Sequence, residues 1–410
     1  QQPSLFGLHA LGCCMKLRSI VVGIGAGFVS SAFAQENLQL AQAYVPGMGE
    51  EVVVTASRSA QQVQDTLAST TLITREQIEK SQARDLYQVL RAVPGVRLKR
   101  NGGRGNATGL SMRGGDPSGT LILVDGVNVE SATLGEVALQ QIPLDQIDRI
   151  EVIRGPKSSL YGSSAMNGVI QIFTRKSAPK NGVTYSAGAG SDNTRDGVIS
   201  ASGLSETSRY NATLSYVESD GFDSMSLDDT VSSSARYNKD EDAYHRSAAS
   251  FNGEQKFSEY LKGNVTFSRA TGQADYDNRY LVDGLPHTEF ESSVASTALT
   301  LDLNRFMSKL QYGVASDTSE NFNDMPDYTL FETRRNVGSW ENSVIPTDWL
   351  TVNFGTDYTH EEVVGTMAYS QTRRDDFGGY ANTRLDVDAW SWSVGMRHDN
   401  NEQFGSKWTG

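Results

Sequence analysis

Leu261-Lys262-Gly263-Asn264-Val265-Thr266-Phe267-Ser268 places apolar side chains at alternate positions, with polar ones between them. Successive side chains of a strand point to opposite faces, so this stretch reads as a strand with one apolar and one polar face. The pattern recurs on both sides of it. Tyr210, Leu214 and Tyr216 alternate with Asn211, Thr213 and Ser215, and Leu299, Leu301 and Leu303 alternate with Thr300, Asp302 and Asn304. Val352, Phe354 and Tyr358 repeat it, as do Trp390, Trp392, Val394 and Met396. A soluble sandwich also alternates, but its turns are short and regular and it rarely places so many aromatics at strand ends. Aromatic-girdled strands with long polar loops read better as an antiparallel outer-membrane β-barrel. Lipid offers no partner to a backbone amide, so a sheet there must close on itself.

The composition agrees. Of 410 residues, 49 are Asp or Glu and 36 are Lys or Arg, a net charge of −13 that argues against a nucleic-acid partner. With 38% hydrophobic and 21% charged residues, the chain is too polar for a helical membrane protein and too apolar for a disordered one.

The N-terminal region carries an export pattern. Lys16 and Arg18 follow Met15, an apolar run spans residues 20–29, and Ala32-Phe33-Ala34 forms a small-x-small cleavage site. Residues 15–34 therefore read as a signal peptide, with Gln35 as the mature N-terminus. Residues 1–14 contain no Met and read as a non-native leader. Both cysteines, Cys13 and Cys14, lie in that leader, so the mature chain needs no disulfide framework. Residues 35–49 form a polar linker.

Between the linker and the alternating segments the signals are mixed. Thr74 and Gln77 read as a capping box. Leu86, Val89, Leu90 and Val93 form an i, i+3, i+4, i+7 stripe, stopped by Pro94-Gly95. Thr120 to Val124 enters an Asp125-Gly126 turn, and residues 150–154 and 169–174 read as further strands. Residues 58–180 are thus expected to form a small α/β domain, and residues 181–410 a partial barrel.

Short motifs in this region make a specific resemblance. Glu51-Val52-Val53-Val54-Thr55-Ala56 precedes Leu90-Arg91-Ala92-Val93-Pro94-Gly95-Val96, Met112-Arg113-Gly114 and Leu123-Val124-Asp125-Gly126-Val127. Ile147-Asp148-Arg149-Ile150-Glu151-Val152-Ile153-Arg154-Gly155-Pro156 and Leu160-Tyr161-Gly162-Ser163 follow. In this order the motifs resemble the plug domain of TonB-dependent outer-membrane receptors. The resemblance implies an α/β plug inside an antiparallel transmembrane β-barrel of about 22 strands, about half of which, roughly ten, these residues supply. It also implies that residues 50–57 are a TonB box, with Glu51, Val52, Val53, Val54, Thr55 and Ala56 adding a strand to the periplasmic TonB protein. The implied setting is the outer membrane of a Gram-negative bacterium, in contact with its lipid. Arg113, Arg149 and Arg154, with Glu151, are expected to make ion pairs that hold the plug to the barrel.

Within that family the chain most resembles the cobalamin receptors, through its box, Asn101-Gly102-Gly103, and Gln403-Phe404-Gly405 before Trp408. Active uptake of cobalamin or a related corrinoid is the implied function; ferric siderophore or haem uptake is the alternative. The implied substrate-binding residues are Ala107, Gly109, Asp116, Leu134 and Gly135. The implied calcium ligands are Asp223, Asn238, Asp240, Asp242, Tyr276 and Asp277, because calcium takes six to eight hard oxygens. Where a further aspartate is expected the chain has His287, with Asp283 nearby as a substitute. A signalling receptor would carry an extra domain before the box, and only about fifteen residues separate Ala34 from Glu50. No nucleophile elbow or phosphate loop occurs, so no enzymatic activity is expected.

Overall fold

A computed structural model describes residues 53–54, 61–62, 68–176, 181–225, 240–278, 285–324 and 327–410. The leader, signal peptide and linker lie outside the described residues, as do Glu51, Val52, Thr55, Ala56, Asn238 and Asp283. Of the stretch expected to be a TonB box, the described residues are β1 (Val53–Val54), which pairs antiparallel with β2 (Gln61–Gln62).

The plug proper begins with β3 (Ser69–Thr74), α1 (Arg75–Ser81) and α2 (Leu86–Arg91). Thr74 Oγ1 accepts from Gln77 N while Gln77 Oε1 accepts from Thr74 N, so the expected capping box starts α1. Leu86, Val89 and Leu90 of α2 are buried, which is the core stripe read from the sequence. β4 (Val96–Arg100) and β5 (Thr108–Met112) form a hairpin. β6 (Thr120–Val124), β7 (Val127–Asn128), β8 (Ile147–Arg154), the short α3 (Ser158–Tyr161) and β9 (Gly168–Thr174) complete the domain. The sheet order is β3-β8-β9-β6-β7, with β6 and β9 parallel. All five side chains of β6 are buried, as a strand covered on both faces requires. Asp125 and Gly126, both at positive φ, make the tight β6–β7 turn.

Among the described residues, twelve strands follow in one antiparallel sheet, each paired with its sequence neighbour. They are β10 (Gly182–Ala189), β11 (Arg195–Leu204), β12 (Ser208–Ser219), β13 (Tyr244–Lys256), β14 (Leu261–Asp275) and β15 (His287–Asp302). Then come β16 (Phe306–Asp324), β17 (Asp327–Thr347), β18 (Leu350–Gly365), β19 (Arg373–Val387), β20 (Trp390–Asn401) and β21 (Gly405–Thr409). The count exceeds the roughly ten expected, because one end of the sheet turns tightly, at 205–207, 257–260, 303–305, 348–349 and 388–389. The other end carries the longer connections, 220–243 and 276–286 among them.

This sheet is polar within and apolar without. Along β12, Tyr210 and Leu214 are 48% and 58% exposed, whereas Asn211 and Thr213 are 1% and 0% exposed. An aqueous protein would invert that order, so the outer face is built for lipid. Tyr260, Trp349 and Trp390 stand exposed at the tight-turn end, where an interfacial aromatic girdle belongs. On the inner face hydroxyls and amides satisfy one another: Thr266 Oγ1 lies 2.7 Å from Ser296 Oγ, and Asn211 Nδ2 donates to Ser200 Oγ at 3.0 Å. The network continues into the plug where Asn252 Nδ2 donates to Thr174 Oγ1 at 3.0 Å.

The expected plug-to-barrel ion pairs fall elsewhere. Arg149 Nε is 3.0 Å from Glu151 Oε1 on its own strand. Arg154 donates to Pro94 O at 2.7 Å and to Ser69 Oγ at 3.0 Å, both within the plug. Crossing contacts come instead from sheet side chains such as Arg335 and Arg397, and from Asn106 of the plug.

Candidate functional site

Three of the five candidate substrate residues, Asp116, Leu134 and Gly135, lie on adjoining plug loops, and Gly109 lies beside them on β5. Asp116 caps the turn Pro117–Gly119 by accepting from Ser118 N at 3.0 Å and Ser118 Oγ at 2.6 Å, which holds its carboxyl below the usual range. Asn167 Nδ2 donates to Asp116 O at 2.8 Å. Across from it, the 131–136 loop closes through Gly135 N to Ser131 O and Ser131 N to Glu136 O, each 2.8 Å. Leu134 at its tip is 73% exposed. A methyl group on Gly135 would sit 2.9 Å from Ser118 Cβ, and one on Gly109 would sit 3.3 Å from Glu136 Oε2. Gly109, Asp116, Leu134 and Gly135 therefore border one surface.

Ala107 is exposed on the preceding loop, where its carbonyl accepts from Asn101 N at 3.1 Å. That loop reaches the long-loop end of the sheet: Asn106 Nδ2 donates to Asp275 O at 3.2 Å, and Gly102 lies beside Ser224. The surface bordered by the candidate substrate residues thus continues towards the candidate calcium residues.

Carboxylate oxygens of Asp240, Asp242 and Asp277 lie within 4.8 Å of one another. Ser224 ties Asp242 to Asp277, its amide donating to Asp242 Oδ2 at 3.0 Å and its hydroxyl to Asp277 Oδ2 at 3.3 Å. Burial, then the Asp242 charge, pushes the carboxyls of Asp240 and Asp277 up, and Asp223 adds to both. Asp277 Oδ1 is buried with no hydrogen-bond partner among the described residues. Three crowded carboxylates with an orphaned oxygen are a donor set that a hard divalent cation would satisfy. Asp223 Oδ1 accepts from Met225 N at 3.2 Å, and the Tyr276 hydroxyl donates to Asn323 Oδ1 at 3.0 Å, so Tyr276 is turned to β16. His287 stacks on Phe322 at 4.7 Å between centroids.

The residues that fix the plug in the sheet had no local signal in the sequence. Arg335 of β17 donates to the carbonyls of Asn128 and Glu130, and Arg397 of β20 to the carbonyl of Leu160 at 3.2 Å. Gln311 Nε2 donates to Asp125 O at 2.8 Å. All sit at inward positions of the alternating pattern, where any polar residue fits the rule. The Glu130 carboxyl is itself buried and pushed up to about 7, by burial first, against the opposing charge of Arg335.

Residues 62–169 match the family model described as TonB-dependent Receptor Plug Domain. The chain is 32% identical over 362 residues to the vitamin B12 transporter BtuB of Photobacterium profundum, covering 87% of this chain and 57% of the relative. It is 30% identical over 375 residues to the vitamin B12 transporter BtuB of Vibrio cholerae serotype O1, covering 88% and 59%. The chain thus spans less than two thirds of the length of these curated relatives. Among solved structures, the siderophore receptor PirA of Acinetobacter baumannii superposes with a TM-score of 0.67 at 20% identity, over 85% of this chain and 58% of that one. The ferric enterobactin receptor PfeA of Pseudomonas aeruginosa gives 0.67 at 19%, over 84% and 59%. At such identities these two carry the fold alone. The plug match, the relatives along most of the chain and the shared fold identify a TonB-dependent outer-membrane receptor sequence, most like the vitamin B12 transporters.

Proposed function

We propose that the receptor carrying this chain takes up cobalamin, or a related corrinoid, across the outer membrane. The reading is carried by the two relatives bearing the vitamin B12 transporter name, which align with nearly nine tenths of the chain. Ala107, Gly109, Asp116, Leu134 and Gly135 line the capture surface in this reading, and contact through backbone where the residue is glycine. Val53 and Val54 form the start of a strand offered to TonB. In the structure that strand is paired with Gln61–Gln62, so TonB would have to replace a weak internal partner. The outer membrane has no ATP, so the work of moving the plug arrives through TonB.

Calcium is proposed as a structural ligand of Asp240, Asp242 and Asp277, with Asp223 beside them. Bound there, it would neutralise the mutual repulsion of the carboxylates and tie 220–225 to 276–278. The test of function is growth of a cobalamin-requiring Gram-negative strain without a receptor of its own, given the receptor gene. Growth at limiting cobalamin supports the proposal. Failure there, with rescue on ferric siderophore or haem, would move the substrate to the iron chelates.

A further inference from the structure

Arg335 is almost wholly buried, its side chain 3% exposed, and its three guanidinium nitrogens are divided between sheet and plug. Nε donates to Glu361 Oε1 of β18 at 2.7 Å, and Nη2 donates to the same oxygen. Nη1 turns the other way, to Glu130 O at 2.7 Å and Asn128 O at 3.2 Å. Glu361 is held in turn by Arg374 Nε at 3.0 Å. Burying a guanidinium is costly unless its donors are satisfied, and here the backbone acceptors of Nη1 are two carbonyls of the plug. A lysine has no planar fork to serve both partners at once.

The clamped carbonyls lie immediately before the loop that ends in Leu134 and Gly135. Two residues on, Ala132 N donates to Thr333 Oγ1 at 3.0 Å, and Thr333 neighbours Arg335 on the inner face of β17. Upstream, Gln311 holds Asp125 O, and Gly313 makes room for Val127, since a methyl there would lie 2.4 Å from Val127 Cγ2. β16 and β17 thus seat residues 125–132 through contacts of known direction, and the loop leaves that seat closed by its own two hydrogen bonds. Arg397 holds Leu160 by the same device, with Asp357 and Asp399 in the place of Glu361, but away from this loop.

We infer that Arg335, aimed by Glu361, is a positioning residue for substrate capture: it sets the height and angle at which plug loop 131–136 meets the substrate. The inference rests on the reading of Leu134 and Gly135 as substrate contacts.

The test uses the full receptor in outer-membrane vesicles, with cyanocobalamin as the probe. Kd, the saturated uptake rate and backbone hydrogen exchange are measured for wild type, Arg335→Gln, Arg335→Lys, Thr333→Val and Arg397→Gln. Expected for Arg335→Gln is a Kd raised by about tenfold, the loss of charge-assisted bonds that order the loop. Exchange should quicken at 129–136 and stay unchanged at 147–154, and saturated uptake should be retained. Arg335→Lys should rescue little, and Thr333→Val should raise Kd less. Arg397→Gln should quicken exchange at 158–165 and leave Kd alone. An unchanged Kd in Arg335→Gln, an equal rise in Arg397→Gln, or faster exchange throughout the plug would each overturn the assignment. If wild type binds no cyanocobalamin, the substrate reading fails by itself. The clamp then stands or falls on whether Arg335→Gln quickens exchange at 129–136 alone.

Discussion

Glu130 is buried beside a clamp whose donors are already engaged, and its carboxyl is pushed up to about 7 from 4.5. The folded plug therefore binds this proton more tightly than the unfolded chain does. Its contribution is fully present below about pH 4.5 and is lost as pH rises through about 7, on the order of 3 kcal/mol in all. Glu130→Gln should flatten that dependence and make the plug more resistant at pH 8; guanidinium unfolding at pH 5 and pH 8 measures both. A second residue-scale prediction concerns Gly221, at φ +76°, where an added methyl would lie 1.8 Å from Asp242 O. Gly221→Ala must push the backbone of 242 aside, so it should weaken calcium binding by tenfold or more, roughly, without altering the barrel. Calorimetric calcium titration of both proteins decides it, and equal affinities would separate Asp242 from the cation.

At the scale of elements, local chemistry made much of the fold legible. The capping box of α1, the stripe of α2 and the Asp125-Gly126 turn are encoded within a few residues of themselves. Period-two alternation likewise announced β12, β14, β15, β18 and β20 and which face of each is apolar. What stayed hidden lies between elements far apart in sequence. Arg335 and Glu130 are 205 positions apart, and nothing local distinguishes that arginine from a solvated lumen residue. Arg154 shows the reverse error: a charge expected to cross to the barrel is used within the plug. Two element-scale outcomes follow. Leu214→Arg, on the outer face of β12, should cost about 2–4 kcal/mol of insertion stability, and Ser215→Arg on the inner face much less. Urea unfolding in lipid vesicles compares them. Val53→Pro removes a strand donor, so uptake should be abolished while binding persists. Equal loss of both would place β1 in the folded plug.

At the scale of the molecule, Arg335, Arg397 and Gln311 of the sheet seat the plug by ending on its backbone carbonyls. Backbone carbonyls are indifferent to plug side-chain identity, so the seat does not depend on the side chains of the proposed capture loops. The candidate calcium cluster and the proposed capture surface meet at the 101–107 loop, which touches both Asp275 and Ser224. Ordering that end with a cation removes an entropic cost from substrate binding, and the coupling must be reciprocal. The most direct measurement is an equilibrium titration of the full receptor with cobalamin, once in calcium and once in chelator. Saturable binding that tightens in calcium is expected, with the gain abolished when Asp240 and Asp242 are both changed to Asn. Identical affinities in the two buffers would remove calcium from the site, and no cobalamin binding in either would contradict the proposed function itself.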